Sequence, residues 1–406
     1  MATAAQDSTA QDPWLGANPL DPEFRNDPYP GLKHLRETDP VNQSPLGFWR
    51  LARYADCQRM LRDLPVGVRQ TDGTLPGVDE TDGANQRNFM LQQDPPNHTR
   101  LRKLVSGAFT PRAVRRLESK VDAIVRDCLD RVADSARMDL IADLALPVPA
   151  TIICEMLGVP VDDRDRFTRW TAEATHGLAA TVAPPEVLAR AQNAGIALGD
   201  YFENLIEDRR QHLGDDVLSG MIRAEEAGDR LDHAELISQS IGLLIAGFET
   251  TIGLIGNGVR QLLLHPHELE RLRADPSRIG TAVEECLRFD GPIQLTVRIP
   301  HEDVSFGDKT IPKDSMVMIL LAAANRDPER FENAERFDIT RDPNPHIAFG
   351  GGAHLCLGTH LARMEGRAAI GGLVSRFPKL ALECEDIEWG PSLFRVPGSL
   401  PLSIGS

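Results

Sequence analysis

The sequence predicts a mainly α-helical protein with two small β regions, folded as a single domain over residues 1–406. Three observations carry this expectation. Aromatic residues make up only 5% of the chain, while long Ala-, Leu-, Arg- and Glu-rich stretches dominate. No Pro/Gly/Ser-rich linker and no internal repeat divides the chain. One apolar pattern runs from Asp232 to Pro266 without a proline break.

Taken in order, residues 1–20 read as a mobile arm. The runs VNQS and FWRLA predict a small sheet near the N-terminus. Residues 63–97 are rich in Gly, Pro, Asp and Asn, which predicts a long irregular segment. A loop of that length in a compact protein usually serves function, often as a lid. Helical patterns cover 98–108, 111–133, 140–157, 162–175, 186–212 and 214–227, with Ala183-Pro184-Pro185 as a break. Asp232 with Glu235 three residues on reads as a capping box. A helix over 233–264 would be about 48 Å long. It is nearly apolar all round, which predicts burial. Helices over 266–274 and 276–289 follow, then strand-like pieces LTVRI, VSFG, KTI and MVMILL, and a last helix over 357–377.

Charge and cysteine usage exclude several functions. The net charge of -16 argues against nucleic acid as a partner. The six cysteines include no CxxC pair, which argues against a structural zinc or a conventional iron–sulfur site. The opening MATAAQDSTAQDPW has no apolar signal core, so free thiols and a cytoplasmic location are expected. The most apolar stretch, IGLLIAGFETTIGLIGNGV, carries Glu249 and Asn257, which favours a buried helix over a membrane span.

The densest chemistry lies in FGGGAHLCLG, residues 349–358. Three successive glycines let the backbone approach another group closely. Cys356 then precedes a long helix, whose positive end and free N–H groups favour a thiolate. Such a thiolate beside a flat glycine surface suits a haem iron ligand. Three other uses remain open on the residues alone. A lone cysteine is often a buried small hydrophobe. Glycine-rich turns bind phosphate, although no GK[ST] follows here. His354 or His360 could serve as base to a nucleophilic cysteine.

The segment matches the FGxGxHxCxG signature at every defined position, and the chain resembles the bacterial cytochrome P-450 enzymes. The resemblance implies their fold, a mostly α triangular prism with a small β side. It implies Cys356 as the ligand to the iron of haem b, Phe349 shielding the sulfur, His354 meeting a haem propionate, and Gly358 and Ala246 against the cofactor. Three further segments fit in the family's order. Glu285 and Arg288 in AVEECLRFD lie three apart, on one helix face, and would form a structural pair. Arg336 would be the third partner, although Ala334 stands where the family more often has proline. In the long helix, Glu249 and Thr250 resemble the family's acid–alcohol pair, which relays protons to dioxygen. His98 and Arg102, four apart in DPPNHTRLRKL, and Arg298 in QLTVRIP match propionate contacts.

The implied activity is insertion of one oxygen atom from dioxygen into a hydrophobic small molecule: a fatty acid, terpenoid, steroid or polyketide. By family position the pocket would include Phe89, Met90, Leu91, Ile245, Ile293, Leu295, Leu393 and Phe394. The chain has no flavin or nicotinamide domain, so a separate ferredoxin with an NAD(P)H-dependent reductase would supply electrons. Residues 100–116 hold six basic residues and no acidic one, so Lys103, Arg112, Arg115 and Arg116 form a candidate docking patch. A monomer is expected. The alternatives are a peroxide-driven peroxygenase and a non-catalytic haem sensor or carrier. The intact Glu249–Thr250 pair argues against the first, and the lack of a partner domain against the second.

Overall fold

The computed structural model describes residues 21–76, 88–175, 185–226, 231–390 and 394–405. The expected arm 1–20 and the pocket position Leu393 lie outside these. The organising element is the helix His233–Leu264. The Asp232 carboxylate accepts the Glu235 N–H (2.7 Å), and the Glu235 carboxylate accepts the Asp232 N–H (3.1 Å). This is the reciprocal box that the spacing predicts. Pro266 opens the next helix, Pro266–Ala274, and so ends this one.

The helices Pro147–Met156, Arg164–Thr175, Pro185–Arg210, Ile279–Asp290 and Thr359–Arg376 pack around the central helix. It is long and apolar enough to cross a membrane, yet 72% of its most apolar window is buried inside the protein. Burial within a protein core accounts for its composition.

Several helices differ from expectation for stated reasons. The run 111–133 divides into Pro111–Arg115 and Glu118–Arg131, with a turn at Arg116 and Leu117 between them. The run 140–157 begins as a π turn, Ile141–Ala145, before Pro147–Met156. Pro147 and Pro149 lack the N–H groups that a continuous α-helix needs there. The run 276–289 opens with a 3-10 turn, Pro276–Arg278. Helices Pro22–Asn26, Tyr29–Thr38 and Tyr54–Arg62 depart from the sequence expectation, because each is too short to show a sustained period.

Five strands form the larger sheet, in the order β1 (Val41–Gln43), β2 (Trp49–Leu51), β8 (Val317–Ile319), β5 (Thr296–Pro300) and β3 (Val66–Gly67). Among the described residues, only β2 and β8 pair in parallel in this sheet. β6 (Val304–Phe306) and β7 (Lys309–Ile311) make a hairpin, and β4 (Arg137–Asp139), β10 (Pro401–Ser403) and β9 (Ala381–Leu382) a third sheet. β3, β4, β9 and β10 are two or three residues long, too short to show a period. The segment 63–97 holds β3 and a 3-10 turn, Met90–Gln92; its residues 77–87 lie outside the described residues.

Helix Ile279–Asp290 braces the segment that leads to Cys356. Glu285 and Arg288 are fully buried and paired side-on, with Arg288 Nε and Nη2 each donating to a Glu285 carboxylate oxygen at 2.7 Å. The other Arg288 donors go to the carbonyls of Asn325 (2.9 Å), Ala334 (2.9 Å) and Arg336 (3.0 Å). All five guanidinium N–H groups thus have acceptors. Glu285 also accepts from the Asp338 N–H (2.8 Å), Asn344 (3.0 Å) and Arg341 (3.3 Å). The expectation for Arg336 is corrected: its side chain is exposed and it contributes a carbonyl. Arg341 supplies the third charge, its guanidinium 3.3 Å from the Glu285 carboxylate.

Replacing Arg288 by Leu leaves Glu285 charged and buried without its partner, at a cost of about 3–5 kcal/mol. The expected result is a matching drop in unfolding free energy in urea. Arg288→Lys should restore little, because one ammonium cannot reach acceptors on all sides.

Candidate active site

The loop between β8 and the helix Thr359–Arg376 folds back on itself. The Cys356 N–H donates to the Phe349 carbonyl (3.0 Å), and the Gly350 N–H to Ile347 (2.9 Å). Gly352 has φ +65°, and a Cβ there would lie 2.1 Å from the Leu61 carbonyl oxygen. Only glycine meets both constraints. The neighbouring Glu284 accepts two bonds from Arg363 (2.6 and 2.7 Å) and one contact from His346 (3.1 Å). Burial pushes the Glu284 carboxyl up, but His346 and Arg363 outweigh it and hold it down at about 2. Arg363 in turn lies 4.6 Å over the Phe349 ring. Adjacent glutamates on one helix therefore brace both ends of the cysteine loop.

Cys356 is exposed and sits ahead of the helix, whose N-cap is Gly358. Surrounding protein still pushes its thiol up, against the Gly358 N–H, Arg102 and Arg363. The donors expected to favour a thiolate are present, but desolvation wins in the protein alone. Cys356 would hold a metal as its thiolate, since coordination favours loss of the thiol proton.

Four predicted donors meet beside the loop. His98 is buried, with its ring centroid 4.2 Å from that of His354. His98 Nε2 and His354 Nδ1 are buried and have no hydrogen-bond partner among the described residues. Burial, with the nearby charges of Arg102 and Arg298, depresses both imidazoles, His98 to about 4. His98 is therefore neutral at pH 7. Arg298 is buried against the Val297 carbonyl (2.7 Å) and the Thr296 hydroxyl (3.3 Å), and desolvation lowers it to about 10. Arg102 donates to the Leu355 carbonyl (2.6 Å). Asp94 faces His354 at 3.8 Å and accepts the N–H groups of Val68 (2.9 Å) and Arg69 (3.0 Å). Two cations and two orphaned ring nitrogens facing one region fit the carboxylates of a bound anion.

On the central helix, Ile245, Ala246, Gly247, Glu249 and Thr250 are half-buried among buried neighbours. The Thr250 hydroxyl donates to the Ala246 carbonyl (2.9 Å), the back-bond expected of a helical threonine. Arg25 lies within electrostatic reach of Glu249. Thr251 faces the other way and hydrogen-bonds Glu365, buried on Thr359–Arg376. The acid–alcohol pair thus stands on a helix packed directly against the one that follows Cys356.

The pocket expectations divide. Phe89, Ile245 and Phe394 are half-buried against the main core, and Met90 is buried within it. Leu91 is corrected to an exposed position, 44% accessible. Ile293 and Leu295 are half-buried and pack against the smaller core clusters. Lys103, Arg112, Arg115 and Arg116 are all exposed, as a docking patch requires. Glu284, Arg363, Arg341, Asn344 and Asp94 were missed; Asp94 and Glu284 stand within the segments DPPNHTRLRKL and AVEECLRFD, but the partners of all five lie far along the chain.

The family model described as Cytochrome P450, written P-450 here, matches residues 66–388. The chain belongs to the cytochrome P-450 family. The P-450 monooxygenase PikC of Streptomyces venezuelae is 40% identical over 413 residues, covering 99% of this chain and 97% of that one. A vitamin D(3) 25-hydroxylase of Pseudonocardia autotrophica is 42% identical over 366 residues, 88% of each chain. The solved structure of P-450BioI with an acyl carrier protein bearing hexadec-9Z-enoic acid superposes with a TM-score of 0.88 at 37% identity, covering 94% of this chain and 98% of that one. The chain is accordingly a P-450 monooxygenase, of a family that uses haem b with dioxygen as co-substrate.

One titration in this P-450 is open to direct test. Burial raises the Glu365 carboxyl to about 8, against the Thr251 hydroxyl bond. An unfolded glutamate titrates near ~4.3. Between these values the folded state holds the extra proton, so stability falls as pH rises, by up to ~1.4 kcal/mol per unit. Glu365→Gln should flatten this decline, gaining on the parent protein from pH 5 towards pH 8 in urea titrations. Parallel pH profiles would show that Glu365 is charged in the fold.

Proposed function

We propose that this P-450 hydroxylates or epoxidises a long, largely apolar molecule, with Cys356 as the thiolate ligand of its haem iron. The observation that carries the reading is the meeting of His98 Nε2, His354 Nδ1, Arg102 and buried Arg298 beside a glycine-turned cysteine.

Haem b, when bound, supplies the activation of dioxygen and the transfer of one oxygen atom. Cys356 would hold the iron, with the Gly358 N–H and the Arg102 and Arg363 charges supporting its thiolate. His98, His354, Arg102 and Arg298 would bind the propionates, and Phe349 would cover the sulfur. The Thr250 hydroxyl, anchored on Ala246, would pass protons inward, and the Glu249 carboxyl would resupply it. Phe89, Ile245 and Phe394 would contact the substrate and exclude water.

A fatty acid, terpenoid, steroid or polyketide suits such a lining, which offers few polar anchors. The 25-hydroxylase similar to this chain is named for vitamin D(3), and P-450BioI is complexed with a long-chain acyl group; both are extended apolar ligands. Electrons would come from a ferredoxin and its NAD(P)H-dependent reductase. The enzyme would work as a cytoplasmic monomer.

The deciding experiment is the absorption spectrum of the reduced protein with carbon monoxide. A strongly red-shifted main band is expected, and Cys356→Ala should abolish it. A Cys356→Ala protein that keeps the band would remove this residue as ligand. For electron delivery, Arg112→Glu with Arg116→Glu should raise the KM for ferredoxin at low salt and converge on the parent value at high salt. An unchanged KM would take both residues off the docking surface.

A further inference from the structure

The first half of the central helix carries a second stripe of contacts. Glu235, Gln239 and Gly242 follow at four and three residues, so they share one face. All three hold the segment 88–100. Glu235 pairs with Arg100 through both carboxylate oxygens (2.9 and 2.5 Å). Gln239 is fully buried; its Nε2 donates to the Asn88 carbonyl (2.7 Å) and its Oε1 accepts the Met90 N–H (3.2 Å). These two bonds clamp the backbone on either side of Phe89. The Phe89 ring itself lies on Gly242, where a Cβ would come within 2.2 Å of ring carbons.

Glycine is the weakest ordinary helix former. Nothing in the backbone conformation of Gly242 calls for it, since it lies inside a regular helix. What calls for it is the ring. One turn further along the same face stands Ala246, whose carbonyl anchors Thr250. The ring is therefore fixed beside the half-buried stretch 245–250.

We propose that Gly242 is a specificity-determining residue: its missing side chain forms a notch that seats Phe89, and this seat sets how long an apolar ligand fits over Ala246 and Thr250. The inference rests on the reading of 245–250 as the floor of the substrate site. Gln239 is a positioning residue, which keeps the backbone in place so that the ring has one resting position. With a methyl group at 242 the clamped backbone stays and the ring turns out of the notch, towards Ala246. The space for ligand shortens.

The test uses the holoenzyme and N-alkylimidazoles from butyl to dodecyl, whose imidazole binds haem iron while the chain probes the cavity. Binding is read from the spectral shift and confirmed by calorimetry. In the parent protein, affinity should rise with chain length up to a limit, by about fourfold per added methylene. Gly242→Ala should lower that limit by at least one methylene, and Phe89→Ala should raise it. The double variant should follow Phe89→Ala, since the two residues act through one contact. Should Gly242→Ala fail to fold, recovery in the double variant supports the seat. An unchanged limit in Phe89→Ala, or equal effects of Gly242→Ala with and without Phe89, overturns the proposal. Absence of any imidazole ligation in the parent protein would instead overturn the haem-site reading on which it rests.

Discussion

The site depends on one buried charge. Arg288 brings five donors into a region sealed from water, and each must find an acceptor there. Glu285 takes two, and carbonyls at Asn325, Ala334 and Arg336 take the rest. Those carbonyls belong to an irregular segment that has almost no secondary structure to hold it. The guanidinium replaces a sheet or helix as its scaffold. Asn325 continues the chain of constraint, because its side-chain oxygen accepts the Ile347 N–H (2.8 Å) two residues ahead of Phe349. A buried ion pair is a weak source of net stability. Here it fixes the path of a loop whose own sequence, rich in glycine, fixes very little.

The other wall of the site shows the opposite economy. His98, His354, Arg102 and Arg298 converge with Asp94 as their only near carboxylate among the described residues. Two ring nitrogens are buried without partners, and Arg298 is desolvated enough to lower its pKa. Such an arrangement costs free energy in the protein alone, and binding an anionic group offsets it. Cys356 is exposed, and coordination to a metal would ionise its thiol.

The central helix joins three tasks by periodicity. Its first turns hold the segment 88–100, its middle carries Glu249 and Thr250, and Thr251 turns to the opposite face to meet Glu365. Adjacent threonines thus differ in their partners: Thr250 bonds back to its own helix and Thr251 bonds across to Glu365. This requires the helix to keep one rotation over its whole length, which the cap at Asp232 and the surrounding helices enforce.

The sequence by itself determined the helical class, the ends of the central helix, and the residues whose chemistry depends on near neighbours: Cys356 among its glycines, Glu285 with Arg288, Glu249 with Thr250, His98 with Arg102. These are legible because helix spacing and turn geometry act over a few residues. Tertiary structure alone decided the rest. Arg341 rather than Arg336 completes the charge cluster, Leu91 is exposed, and Glu284 braces the cysteine loop. Each of these contacts joins residues far apart in the chain, where no local period constrains the partner. Which charge meets which is then settled by the path of the backbone and by what desolvation leaves unsatisfied.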